Sequence, residues 1–111
     1  MAKINCSIPI NSSADLGFAV RATRRAQGLR QDDVAGSAGV GALFAIDVEH
    51  GADTVQLGRV LRLLRELGIE LYAEIPPAAL AEFQEIKRRG VRPLKRRRRA
   101  ANIPPLEPPT K

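Results

Sequence analysis

"QDDVAGSAGVGALFAIDVEHG", residues 31–51, decides the fold of this 111-residue chain. It contains two short runs with helical character, the first closed by Gly39 and the second by Gly51. Glycine ends helices because it takes up the left-handed backbone conformation without a Cβ clash. The spacing therefore predicts a helix over 31–38, a tight turn, and a second helix from Gly41 to His50. Val40, Ala45 and Val48 are the inward positions of that second run, and Gly39 and Gly41 read as turn residues.

Two longer helices flank this pair. In "INSSADLGFAVRATRRAQG", residues 10–28, Ser12 and Asp15 stand three apart as in a capping box, and Gly28 is the stop. A helix over about 13–27 follows, with Leu16, Val20 and Ala26 on one face and Arg21, Arg24 and Arg25 off it. In "VQLGRVLRLLRELG", residues 55–68, Leu57, Val60, Leu61, Leu64 and Leu67 recur at offsets of three and four, and Gly68 ends the helix.

The period then changes. In "IELYAEI", residues 69–75, Ile69, Leu71, Ala73 and Ile75 alternate with Glu70, Tyr72 and Glu74. That two-residue period is the mark of a half-buried strand. A lone strand in a helical chain leaves its backbone donors and acceptors unpaired, so a second copy of the same strand is the expected partner. Pro76-Pro77 ends it, and "PAALAEFQEIKRRG" predicts a last helix closed by Gly90. In "VRPLKRRRRAANIPPLEPPTK", prolines and like charges predict disorder in the free protein.

The net charge of +6 is unevenly spread. Residues 1–86 carry eight Lys/Arg against eleven Asp/Glu, whereas residues 87–111 carry ten Lys/Arg against Glu107 alone. A segregated basic segment is either a polyanion ligand, most often for nucleic acid, or a solvated tail. No apolar run approaches a membrane span, and no signal-peptide pattern opens the chain. The single Cys6 excludes an internal disulfide and fits a reducing compartment. With one histidine, one cysteine and no metal-ligand or phosphate-loop spacing, neither catalysis nor a cofactor or metal is expected.

Residues 12–75 resemble the lambda-repressor-like (Xre-type) helix-turn-helix family, and within it HipB-type antitoxins. The stretches carrying the likeness are "LGFAVRATRRAQGLRQDDVAGSAGVG" and "DVEHGADTVQLGRVLRLLRELGIEL". The fold class implied is mainly α: a helix-turn-helix bundle, one dimerising β-strand, then a C-terminal helix and basic tail. The corresponding segments are an N-terminal extension (1–11), the DNA-binding domain (12–68), the strand (69–75), the C-terminal helix (76–90) and the tail (91–111). The resemblance implies that the third helix enters the major groove while the second crosses the backbone.

Under that resemblance the DNA-contacting candidates are Arg30, Gln31, Gly41, Ala42, Leu43, Asp47 and His50. Gln31 matches the glutamine that opens the family's second helix, and Arg30 replaces a capping Thr or Ser. Ala42, Leu43 and Asp47 fall on base-contacting positions where relatives commonly place donors. Only Asp47 can hydrogen-bond there, and only as an acceptor, so thymine methyls, one cytosine amino group and DNA shape remain to be read. Arg96, Arg97, Arg98 and Arg99 in the tail complete the set and are expected to supply much of the affinity. The dimer interface is expected at Ile69, Leu71, Tyr72, Ala73 and Ile75.

The implied function is a dimeric repressor acting in the bacterial cytoplasm at the nucleoid. Its partners would be a double-stranded DNA operator, a second copy of itself, and a HipA-like kinase toxin. Two other readings stand beside it: a regulator without a toxin, and a protein-interaction adaptor whose patch is Leu43, Phe44 and Ile46.

Overall fold

The computed structural model describes residues 5–90. It contains five helices: α1 (Ser13–Ala26), α2 (Gln31–Ala38), α3 (Ala42–Glu49), α4 (Leu57–Leu67) and α5 (Pro77–Arg89). The chain divides into two units, one ending at Tyr72 and the other beginning at Ala73. The expected disorder of 91–111 and the side chains Arg96–Arg99 lie outside the described residues.

Local chemistry sets the helix ends. Ser12 caps α1, its hydroxyl accepting the Asp15 backbone N–H at 3.1 Å. Asp15 answers by accepting the Asn11 N–H at 3.0 Å, one residue earlier than a reciprocal capping box would place it. Gly39 and Gly68 close α2 and α4 in the left-handed conformation. After α4 the Ile69 N–H returns to the Leu64 carbonyl at 2.9 Å, a Schellman-type closure that lays Ile69 against the core.

In the first unit, α3 packs on α1 and α2, and α4 packs on α2 and α1. The core is small and aliphatic: Val20, Val34, Ala35, Ala38, Ala45, Val48, Val60, Leu63, Leu64 and Leu67 are buried. Leu16, Val40, Phe44, Val55 and Ile69 pack on its margin. Two glycines fit where no side chain could. Gly17 on α1 lies so close to α3 that a Cβ there would sit 2.6 Å from the Val48 carbonyl oxygen. Gly51, at φ +79°, would drive a Cβ to 2.9 Å from Ala14 Cα. The crossing of α1 with the end of α3 is therefore a backbone-to-backbone contact.

Three sequence expectations are corrected. Ala26, on the last turn of α1, is exposed. In α4 the buried stripe is Val60, Leu63, Leu64 and Leu67, whereas Leu57 is 64% exposed and Leu61 is also exposed. The buried stripe is shifted toward Leu63, which is almost fully buried, and α4 packs on α2 and α1.

The third correction concerns the strand over 69–75: no strand is present among the described residues. Ile69 is taken into the closure of α4, and among the described residues, 70–75 form no backbone hydrogen bonds to another segment. Leu71, Tyr72, Ala73 and Ile75 are all exposed. A strand is a pairing between two backbones, and one chain supplies only one of them.

The second unit carries α5, which starts with Pro77 and ends before Gly90. None of its residues is buried, and Leu80, Phe83 and Ile86 are exposed. Glu85 pairs with Arg88 at 2.6 Å and with Arg89 at 3.2 Å, which supports the last turns locally.

Candidate nucleic-acid interface

α3 has two unlike sides. Ala45, Val48 and Glu49 face inward and are buried. Ala42, Leu43, Asp47 and His50 are exposed, Leu43 by 70%, with Ile46 half-buried beside them. Gly41 is the N-cap and forms no side-chain cap. Leu43, Asp47 and His50 therefore share one solvent-facing side, as the 3.6-residue period requires, and Ala42 is exposed at the start of the helix. His50 sits at the far end, its Nδ1 donating to the Ile46 carbonyl at 2.8 Å.

The inward side holds a polar cluster centred on Glu49, which is 3% exposed. Arg24 of α1 donates to its carboxylate twice, from Nε at 2.6 Å and from a terminal nitrogen at 3.0 Å. Gln31 Nε2 of α2 donates to the same carboxylate at 2.9 Å. Arg21 Nε lies 3.9 Å away and donates through a terminal nitrogen to the Glu49 backbone carbonyl at 2.9 Å. Arg24 also reaches the Leu29 carbonyl at 3.0 Å, in the turn between α1 and α2. One carboxylate thus binds α1, the start of α2 and the end of α3.

Burial pushes the Glu49 carboxyl up, but the hydrogen bond and charge of Arg24, with Gln31 and Arg21, outweigh it and hold it below the usual carboxylate range. Bidentate pairing satisfies the lone pairs that burial would otherwise strand.

This cluster changes the reading of Gln31. The Gln31 side-chain amide, expected on a phosphate or base edge, is engaged inside the protein. Arg24 is likewise turned inward, with its side chain only 14% exposed. Arg30, at the N-cap of α2, forms no cap and pairs with Asp32 at 3.3 Å on the surface. Asp32 and Asp33 occupy the first turn of α2 and oppose a phosphate where the free amides would attract one.

Sequence reasoning missed Glu49, Arg21 and Gly17. Glu49 could have been found from its place on the Ala45–Val48 face of the helix, one turn beyond Ala45. Gly17 could have been noticed as a glycine in the middle of a helix, which helices ordinarily avoid.

In the first unit the segment after α4 shapes a hollow of about 430 Å³ lined by Leu61, Leu64, Arg65, Ile69, Glu70 and Leu71. Tyr72 is 77% exposed and donates to Glu70 at 2.6 Å. Ala73 and Ile75 belong to the second unit and are exposed there. Among the described residues no cluster of His, Cys, Asp or Glu could hold a metal ion, and no helix is long and apolar enough to cross a membrane.

Comparison with known proteins bears on this geometry. No family model matches the chain. It is 48% identical over 62 residues to the uncharacterized HTH-type transcriptional regulator y4mF of Sinorhizobium fredii. That match spans 56% of this chain and 82% of the relative. Among solved structures, chains of the HipA-HipB-O2-O3 complex and of the HipB-O4 20mer complex share the fold. Each gives a TM-score of 0.58 at 20% identity, covering 62% of this chain and 97% of the other.

Proposed function

This chain belongs to the HTH-type transcriptional regulators, and we propose that it is a dimeric repressor that lays the outer side of α3 in the major groove of its operator. The observation that carries this reading is the division of α3. Ala42, Leu43, Asp47 and His50 stand together in solvent while Glu49 fastens the opposite side to α1 and α2. A helix held rigidly from behind and bare in front has the form a groove requires.

The outer side offers thymine-methyl contacts from Ala42 and Leu43, and the Asp47 carboxylate can accept from a cytosine amino group. Specificity is accordingly shallow, and cations elsewhere, including Arg96–Arg99 of the sequence, carry much of the affinity. Residues 12–68 form the DNA-binding domain. Segments 69–75 of two copies pair across a two-fold axis, with Leu71, Tyr72, Ala73 and Ile75 at the contact. The unpaired backbone of residues 70–75 and the hollow beside Leu61 and Leu71 support that pairing. The likeness to a chain of a HipA-HipB complex supports an antitoxin role, in which the dimer also restrains a kinase-like toxin in the bacterial cytoplasm.

Leu43 favours a second reading, because a 70% exposed leucine at the centre of the face suits a protein partner as well as a groove. A gel shift on the duplex upstream of the gene, with competitor DNA at two salt concentrations, separates the two. Retarded DNA that resists competitor supports the repressor, and no retardation at either salt overturns it. Sedimentation at micromolar concentration tests the dimer, with Leu71→Asp expected to give a monomer.

A further inference from the structure

Arg59 is held differently from Arg21, Arg24 and Arg30. Arg21 and Arg24 are engaged by Glu49, and Arg30 by Asp32. Arg59, in the first turn of α4, is exposed and forms no ion pair among the described residues. Its guanidinium carbon lies instead 6.0 Å from the centre of the Phe44 ring, within the range of a cation–π contact. Phe44 is half-buried on the flank of α3, packed on the core behind it. The ring is therefore a fixed platform, and the guanidinium on it is placed beside α3 without being neutralised.

That position has a consequence if α3 occupies a major groove, the reading on which this inference rests. An α-helix with its side chains is about 10–12 Å across, and the major groove is about 12 Å wide. The helix consequently fills the groove, and whatever touches its flank meets the sugar-phosphate wall. We infer that Arg59, held against Phe44, is a phosphate-binding residue that clamps one wall of the groove beside α3. The Asp47 carboxylate and the acidic first turn of α2 repel that same backbone, and a cation at this flank offsets them. A contact with a ring face also leaves the guanidinium's N–H groups open to phosphate oxygens, which a salt bridge would occupy.

The test uses the full chain and two fluorescent duplexes, one from upstream of the gene and one of scrambled sequence, titrated across a series of salt concentrations. One phosphate contact contributes about 0.9 to the slope of log affinity against log salt. Arg59→Ala is expected to flatten the slope by about that amount and, near 0.1 M salt, to weaken binding about 8-fold on both duplexes. Arg59→Lys should keep the slope, since the charge remains. Phe44→Leu should weaken binding less than Arg59→Ala, with the slope kept. An unchanged slope and affinity for Arg59→Ala, with wild type binding normally, overturns the clamp and leaves the groove reading intact. A loss confined to the upstream duplex at constant slope makes Arg59 a base reader and also overturns it. Failure of the wild-type chain to bind either duplex overturns the groove reading and the clamp together.

Discussion

The two sides of α3 differ in what they ask of a side chain. On the inner side every position is committed: Ala45 and Val48 fill the core, and Glu49 receives donors from α1 and α2. On the outer side Ala42, Leu43, Asp47 and His50 have no such neighbours, and His50 bonds only within its own helix. The difference teaches that the scaffold and the reading surface are separable at the level of single residues. A change on one side should unfold the domain, and a change on the other should retune binding while leaving stability alone.

The hardest blow to that separation is Glu49→Ala. It leaves Arg24 facing inward without its carboxylate, and breaking a buried pair by removing one partner costs about 3–5 kcal/mol. Urea denaturation should register that loss. Titration of wild type sharpens the point. The Glu49 carboxyl is held below its ordinary range in the folded state, so its contribution is complete above the unfolded value of about 4.3 and fades as pH falls below it. Glu49→Gln should show a shallower acid limb in thermal denaturation followed against pH.

Next comes Gly17→Ala, with an expected cost of about 1–3 kcal/mol, because the added methyl presses on the Val48 and Glu49 carbonyls. A Tm unchanged from wild type would show that α1 and α3 can part without penalty, contrary to their backbone contact. On the outer side, Leu43→Arg should leave urea stability within about 0.5 kcal/mol of wild type. In a binding-site selection the same variant should gain a guanine preference of about 1–3 kcal/mol at one position. Asp47→Ala is the mildest change. Its stability should stay within about 0.5 kcal/mol, and any cytosine preference at its position should disappear.

Legibility in the sequence followed the same division between local and distant causes. The helix ends were readable because Ser12, Gly28, Gly39, Gly51, Gly68 and Pro77 act on backbone within a few residues. The outer side of α3 was readable because one helix's periodicity defines it. Leu57 and Leu61 read as inward because they border the apolar stripe, and only the packing of α4 on other helices decides which flank is covered. The role of Glu49 is not legible locally because its chief partner, Arg24, lies on a different helix 25 residues earlier. Gln31 was assigned outward by its position in a motif, whereas its direction is set by Glu49, 18 residues later. The 69–75 alternation could not supply the second backbone that makes a strand, and Leu71, Ala73 and Ile75 are as exposed as Glu70 and Glu74.

The fastening around Glu49 also divides α3 along its length. Every polar attachment of its inner side falls at the last turn, near Glu49 and the Gly51–Ala14 approach. The first turn, beginning at the uncapped Gly41, is joined to the rest by apolar packing alone. α3 is in this respect anchored in two ways, by polar bonds at its C-terminal end and by Phe44 and Ala45 packed on the core at its N-terminal end. Apolar packing sets no direction as a hydrogen bond does, so the seating of Ala42 and Leu43, which would probe the bases, depends on the shape of the core beneath them.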